Sequence, residues 1–230
     1  MKTAILVDGS FFIKRYRTLY PNWRDKSANQ IARDLYAGLL GDLRKANRKH
    51  ITPDLYRIFF YDCPPLEKRA QNPVSKQGFN FSDTPEAHFR KEFHNELRQF
   101  RKIALRMGRI ADEGQWVITP AKTKELLNGK ILIEQLTEND VRYETRQKGV
   151  DMKIGLDISS LAHNKNVEQI ILIAGDSDFV PAAKLARREG IDFVLDPMWN
   201  HINPDLHEHI DGLVSSWPKP SLQSQKHKPQ

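Results

Sequence analysis

A single cysteine, Cys63, among 230 residues has no partner for an internal disulfide, and no group of Cys and His residues shows the close spacing of a zinc site. The expectation is a reducing compartment. Long apolar runs are absent too: the N-terminal run Ala4 to Val7 is closed by Asp8, well short of a signal-peptide core. No stretch approaches the roughly 20 apolar residues of a membrane span, so a soluble, cytoplasmic protein without membrane attachment is expected. There is no glycine-rich dinucleotide loop, no Walker loop and no internal repeat. What is present is an excess of base, 36 Lys and Arg against 29 Asp and Glu, for a net charge of +7. Such a field attracts polyanions, though solubility alone would also account for it. With 39% of residues hydrophobic, the chain can bury one sizeable core.

Four short runs rich in β-branched or aromatic residues read as strands: Ala4 to Val7, Leu55 to Tyr61, Ile170 to Ala174 and Phe193 to Leu195. The third is apolar without alternation, as in a central strand covered on both faces. Helical patterns occupy about Ala28 to Asn47, about Glu86 to Met107, Asp151 to His163 and Phe179 to Arg188. Strands alternating with helices predict an open α/β fold around a mostly parallel sheet. One domain is expected over residues 1–217. Its middle, 63–145, is hard to place: Cys63 to Pro85 reads as a long surface loop and Ile110 to Arg146 as an extra strand or hairpin. Residues 218–230 read as a disordered basic tail.

If the four strands are parallel, Asp8, Asp62, Asp176 and Asp196 all follow strand ends and share the carboxyl edge, where open α/β folds form their crevice. Any one of them alone is better explained as a turn or cap residue. The sharpest local signal is Ala174-Gly175-Asp176-Ser177-Asp178-Phe179, a strand that runs into two carboxylates and then a helix. Asp178 reads as an N-cap with Pro181 in the first turn, which leaves Asp176 and Gly175 unexplained. Asp151, opening its helix after Lys148-Gly149-Val150, is equally well explained as an N-cap. Gathered carboxylates repel by a few kcal/mol at an intermediate dielectric of about 20, and a divalent cation reverses the sign. Oxygen ligands alone point to Mg²⁺ or Mn²⁺. Asp157, about 9 Å along the helix and roughly 120° around it from Asp151, cannot lean over the same ion. It reads as indirect or structural.

The segments VDGS at Asp8, KGVD at Asp151 and GDSDF at Asp176 together resemble the NYN domain, a branch of the PIN-like nuclease superfamily. The likeness is strongest over residues 3–16 and 146–197. It implies a PIN-like three-layer α/β/α sandwich and a Mg²⁺- or Mn²⁺-dependent ribonuclease, with Asp8, Asp151, Asp176 and Asp178 as catalytic, metal-holding carboxylates. Ser10, Ser177, Asp62, Asp157 and Asp196 stand around them as supporting candidates. Many members carry an asparagine soon after the first aspartate; here Ser10 is followed by Phe11 and Phe12.

A nuclease also needs a hold on its polyanion, and RNA is the expected partner. Lys14, Arg15 and Arg17 follow Asp8 closely, with Tyr16, Tyr20 and Trp23 interleaved as candidate stacking rings. Lys148 precedes Asp151. In the helix expected to reach Met107, Arg98, Lys102, Arg106 and Arg109 would form a basic ridge beside a stripe of Phe93, Leu97, Phe100, Ala104 and Met107. Two other functions fit the residues less fully. A nucleic-acid-binding regulatory module could keep the fold without turnover, and a haloacid-dehalogenase-type phosphatase would need an aspartate where Ser10 stands. A homo-oligomer or a regulatory protein partner is compatible with all three.

Overall fold

The computed structural model describes residues 1–47, 52–111 and 114–220. Most of the expected tail, residues 221–230, therefore lies outside the described residues. In chain order the elements begin β1 (Lys2–Asp8), α1 (Gly9–Leu19), α2 (Ala28–Ala46), β2 (Asp54–Asp62), β3 (Arg69–Gln71), β4 (Gly78–Asn80) and α3 (Pro85–Gln99). They continue with β5 (Ile103–Met107), β6 (Arg109–Ile110), β7 (Gln115–Ile118), α4 (Pro120–Leu127), β8 (Val141–Glu144), β9 (Gln147–Lys148) and α5 (Val150–His163). The last are β10 (Gln169–Ile173), α6 (Val180–Arg188), β11 (Asp192–Asp196), α7 (Pro204–Glu208) and β12 (Gly212–Leu213). The chain divides into two compact units, residues 1–62, 92–108 and 149 onward in the first, 63–91 and 109–148 in the second. No helix among the described residues is long and apolar enough to cross a membrane.

The first unit is an α/β fold on a six-stranded sheet in the order β12, β11, β10, β1, β2, β5, with every neighbouring pair parallel. Ala4 to Val7 and the whole of β10 are buried, because helices cover both faces and leave no solvent side to demand a polar residue. Register decides which face each side chain meets. Val7 is level with Phe60 and Ile173, and Ile173 with Asp196; Asp8 is level with Tyr61. Since successive side chains alternate, Phe60, Asp62 and Asp196 share one face and Asp8 and Tyr61 the other. On the first face Phe60 meets Phe93 of α3 and Phe12 of α1. On the second, Tyr61 donates a 2.7 Å hydrogen bond to Asp157 of α5.

The second unit contains, among its described residues, the two-stranded antiparallel pairs β3 with β4, β6 with β9 and β7 with β8. Phe79, Phe81, Trp116 and Tyr143 form its aromatic cluster, with ring centroids 4.8 to 5.9 Å apart. Cys63 to Pro85 is thus no plain loop, since it carries the β3–β4 pair. Where an extra strand or hairpin was expected in Ile110 to Arg146, β7 and β8 pair antiparallel across an intervening α4 rather than through a tight turn, and Ile131 to Ile133 adds no strand.

The helix expected from Glu86 to Met107 ends at Gln99 instead, and the chain turns at Lys102, in the left-handed region at φ 67. Ile103 to Met107 is drawn off as the edge strand beside β2, a tertiary pairing that outweighs helical periodicity. The basic ridge falls with the helix. Arg98 stays on α3 and reaches Asn95, Lys102 donates to the Leu55 carbonyl, Arg106 pairs with Asp157 from β5, and Arg109 belongs to β6.

At the end of β11, Asp196 is fully buried and accepts from the backbone N–H of Met198 at 2.7 Å and from Trp217 Nε1 at 2.6 Å. The equally buried Asp42 of α2 lies against it. Neither Asp42 oxygen has a partner in ordinary hydrogen-bonding geometry, although Ser216 lies near enough to favour the ionised form; protonated, Asp42 can donate to Asp196. Burial first, then the charge of Asp196, pushes Asp42 up to about 9, and Ser216 opposes the shift slightly. The folded state therefore holds a proton that the unfolded chain releases near pH 4, and stability falls as pH rises through that window. Asp42→Asn keeps a donor toward Asp196 and has no proton to lose. Its melting temperature is expected to diverge upward from that of the parent between pH 5 and pH 9, by at most about 1.4 kcal/mol of relative stability per pH unit. Melting curves that stay parallel across this range would show that the proton is not shared there.

Candidate functional site

The carboxyl edge of the sheet gathers the acids unequally. Asp8 ends β1 and, extended at φ −69 and ψ 107, caps α1: its Oδ1 accepts from the Phe11 N–H at 3.1 Å. The helix begins at this point because a carboxylate answers an N–H that no intrahelical carbonyl reaches, and because Phe12, Tyr16 and Leu19 then bury one side. That helix was not expected from the sequence, although the i, i+4, i+7 spacing of its buried residues is a readable signal. Burial is the largest influence on Asp8 and pushes it up to about 6; the Phe11 N–H opposes the shift, and the charges of Asp151 and, less, Asp62 add to it.

Asp176 and Asp178 exchange the parts that the sequence suggested. Asp176 is the cap, extended at φ −93 and ψ 138, and accepts from the Asp178 N–H at 3.1 Å, closing a single 3₁₀ turn over Ser177 to Phe179. Asp178 lies inside that turn and caps nothing, so the bland explanation moves to Asp176 and leaves Asp178 without one. Both are exposed. Phe11 of α1 closes over Gly175, where an added Cβ would stand 2.5 Å from its ring, so a larger residue between β10 and Asp176 would have to displace that ring.

Asp151 is not an N-cap either. Gly149, left-handed at φ 85, takes that position, and Asp151 sits in the first turn of α5, where the helix dipole favours an acid. Partial burial, then the charges of Asp176 and Asp178, push its pKa up. Asp8, Asp151, Asp176 and Asp178, from three distant segments, are thereby linked by mutual repulsion. Ser10 follows Asp8, and its backbone N–H supports the same carboxylate. Ser177 lies within the capped turn.

The remaining acids are engaged elsewhere. Asp62, fully buried, pairs with buried His94 Nε2 at 2.8 Å. Asp196 belongs to the Asp42 and Trp217 cluster described above, and Asp157 holds Tyr61 and the Arg106 guanidinium, the latter at 3.1 Å. Of the bases, Lys14 is exposed on α1, Arg15 spends Nε and Nη2 on the Met198 carbonyl, and Arg17 lies over the Trp23 ring at 4.3 Å. Lys148 is exposed in β9. Tyr16 is buried under Tyr20 and offers no face to a base, and Trp23 is covered by Arg17 and Arg24.

The donor set suits a hard divalent cation, since it consists of carboxylates that raise one another's pKa and that a cation would relieve. They stand apart: among the described residues no three His, Cys, Asp or Glu side chains are close enough to hold one ion.

Comparison with known proteins gives a family and little beyond it. The family model of the NYN domain matches residues 89–211, more than half of the chain. That span takes in Asp151, Asp176 and Asp178 and part of the middle that the motifs left unplaced, and it begins after Asp8. An uncharacterized protein of Methanocaldococcus jannaschii is 28% identical over 101 residues, 44% of this chain and 39% of that protein, so the chain spans well under half of its length. A crystal structure of a protein of unknown function from Vibrio parahaemolyticus aligns over 94% of this chain and 92% of that one, at 16% identity and a TM-score of 0.43.

Asp8→Asn separates the charge of Asp8 from its cap, because asparagine caps helices as well as aspartate does. The parent is expected to lose stability between the usual carboxylate range and pH 6 as its buried carboxyl ionises, while the variant does not. Urea unfolding in chelator should find the two alike at pH 4 and the variant more stable at pH 8, by up to about 3 kcal/mol. A variant weaker at both pH values would mean that the carboxylate is held by more than its cap.

Proposed function

The chain belongs to the NYN-domain family, and on that premise we propose that it is a Mg²⁺- or Mn²⁺-dependent ribonuclease whose catalytic acids are Asp8, Asp151, Asp176 and Asp178. The PIN-like fold supports nuclease chemistry in general. The reading of these four acids as one site is carried by their coupling: Asp8 feels Asp151, and Asp151 feels Asp176 and Asp178. Asp8 and Asp176 cap and Asp151 suits its helix dipole, but their mutual repulsion works against the fold, and carboxylates perturbed by one another are enriched at functional sites.

Asp8 and Asp176 are the principal ligands in this proposal. Each uses an oxygen as a helix or turn cap, which fixes the carboxylate's direction at the end of a buried strand before any ligand arrives. Asp151 and Asp178 complete the set directly or through water. A divalent cation held there would lower the pKa of a bound water and offset the charge that builds on the phosphate. Lys14, exposed on α1 about a turn and a half from the Asp8 cap, is the base this reading assigns to a phosphate. Arg15 is less available, being committed to Met198.

Labelled RNA is expected to be cleaved with Mg²⁺ or Mn²⁺ and to survive exhaustive chelation; single-stranded DNA and duplexes run alongside give the substrate class. Undiminished cleavage in chelator would remove the metal from the proposal.

Asp176→Asn keeps the capping oxygen and loses the charge. It should slow single-turnover cleavage by roughly 100-fold or more, as for loss of a group that stabilises transition-state charge. The metal-free melting temperature should hold, and most of the stabilisation that Mn²⁺ gives the parent should disappear. A destabilised but active variant would return Asp176 to a purely structural part.

A further inference from the structure

The chain leaves β11 through Asp196-Pro197-Met198-Trp199-Asn200, where two successive residues other than glycine, Met198 at φ 46 and Trp199 at φ 62, are left-handed. Each such residue is strained, and a turn of this kind persists only where its surroundings over-determine it. Here they do. Asp196 accepts from the Met198 N–H, Arg15 donates twice to the Met198 carbonyl, and the Asn200 N–H returns to the Pro197 carbonyl. The indole of Trp199 is tied by its Nε1 to the Trp217 carbonyl at 2.9 Å. Yet the ring so fixed is not packed away: 40% of the residue remains exposed, among the few large apolar residues of the first unit left in solvent.

Its place is set by α1. Phe11 and Arg15, one turn apart on the same side of that helix, contact Gly175 and Met198 respectively. The loop carrying Asp176 and Asp178 and the turn carrying Trp199 therefore lie side by side at the carboxyl edge, as the pairing of Ile173 with Asp196 also requires. The ammonium of Lys219 lies over one face of the indole, 5.2 Å from its centroid, so positive charge accompanies the ring and a base would take the opposite face or displace that flexible side chain.

We propose that Trp199 is a stacking platform for one base of a single-stranded nucleic acid whose backbone lies at the neighbouring acid cluster, with Lys219 beside the adjoining phosphate. The inference rests on the nuclease reading and adds to it a subsite that positions the strand. A rigid, exposed, immobilised indole loses little entropy on binding, and any base presents a face to it, so the contact favours unpaired strands without fixing a sequence. Trp23 carries two guanidinium groups, those of Arg17 and Arg24, Tyr20 is stacked on Tyr16 with Lys26 over its ring, and Tyr16 is buried, whereas Trp199 carries one flexible lysine.

The test is fluorescence anisotropy of a labelled single-stranded oligouridine in chelator, which keeps the probe intact, on the parent, Trp199→Phe and Trp199→Ala. Both variants lose the bond to Trp217, so the difference between them reads the ring alone, and melting curves confirm that each is folded. Trp199→Ala should weaken binding by about 5- to 150-fold, the equivalent of one stacked base, and Trp199→Phe by much less. A probe with a single abasic nucleotide, moved along the strand, should at one position cost the parent the same factor and cost Trp199→Ala nothing. Equal affinity of all three proteins, with RNA cleavage by the parent intact, overturns the platform and leaves the nuclease reading standing. A parent that neither binds nor cleaves single strands overturns both.

Discussion

The parallel register of β1, β10 and β11 is the constraint on which the rest depends. Once Val7, Ile173 and Asp196 are level, three chain segments must leave the sheet at the same edge, and whatever follows each strand is brought together without any local sequence having to arrange it. Alternation then sorts the acids. Asp62 and Asp196 turn to the face of α1, α2 and α3, where they are buried and answered by His94, Trp217 and Asp42. Asp8 stands on the other parity, at the start of a helix and within the field of Asp151. One-residue steps in register thus divide aspartates of similar sequence context into structural and chemically available groups.

Capping and ligation need not compete for a carboxylate. A cap uses one oxygen and fixes the plane of the group, which is the preorganisation a metal ligand requires. Asp8 and Asp176 have this geometry on adjacent strands, and both replace a backbone acceptor that a helix or turn lacks at its first residues. Asp151 differs, since Gly149 has taken the cap and left the carboxylate in the field of the first turn.

Much of the fold was legible because central strands have no solvent side: β1 and β10 are apolar runs ended by an acid or a glycine, and no helix reads that way. The edge was harder. Ile103 to Met107 continues the helical spacing of Phe93 and Leu97 without a glycine or proline to stop it, and only pairing with β2, remote in sequence, makes it a strand. The β3–β4 pair has three residues a side, too few for alternation to register. Of the candidate site, the common edge of Asp8 and Asp176 could be read from strand ends. Which of Asp176 and Asp178 caps could not, because both precede the helix at acceptable spacing. Trp199 carried no signal, since positive φ at consecutive residues other than glycine is invisible in composition.

Helix α2 carries two interior glycines, each worth roughly 1 kcal/mol against helix formation. Both are seats. A Cβ at Gly38 would stand 2.3 Å from the Trp217 ring, and one at Gly41 would stand 2.7 Å from Ser216. The bare backbone there is a slot for a segment that lies almost the whole chain away in sequence. Its closure is therefore among the most non-local events in the molecule, of the kind that slows folding even where it adds much to final stability. Until Trp217 arrives, α2 is a weakened helix with an unfilled notch, and Asp42 and Asp196 lack the indole that helps to seal them. The last stretch of described chain thus ties the far end of the sequence to the middle of α2 and to the buried pair at the end of β11.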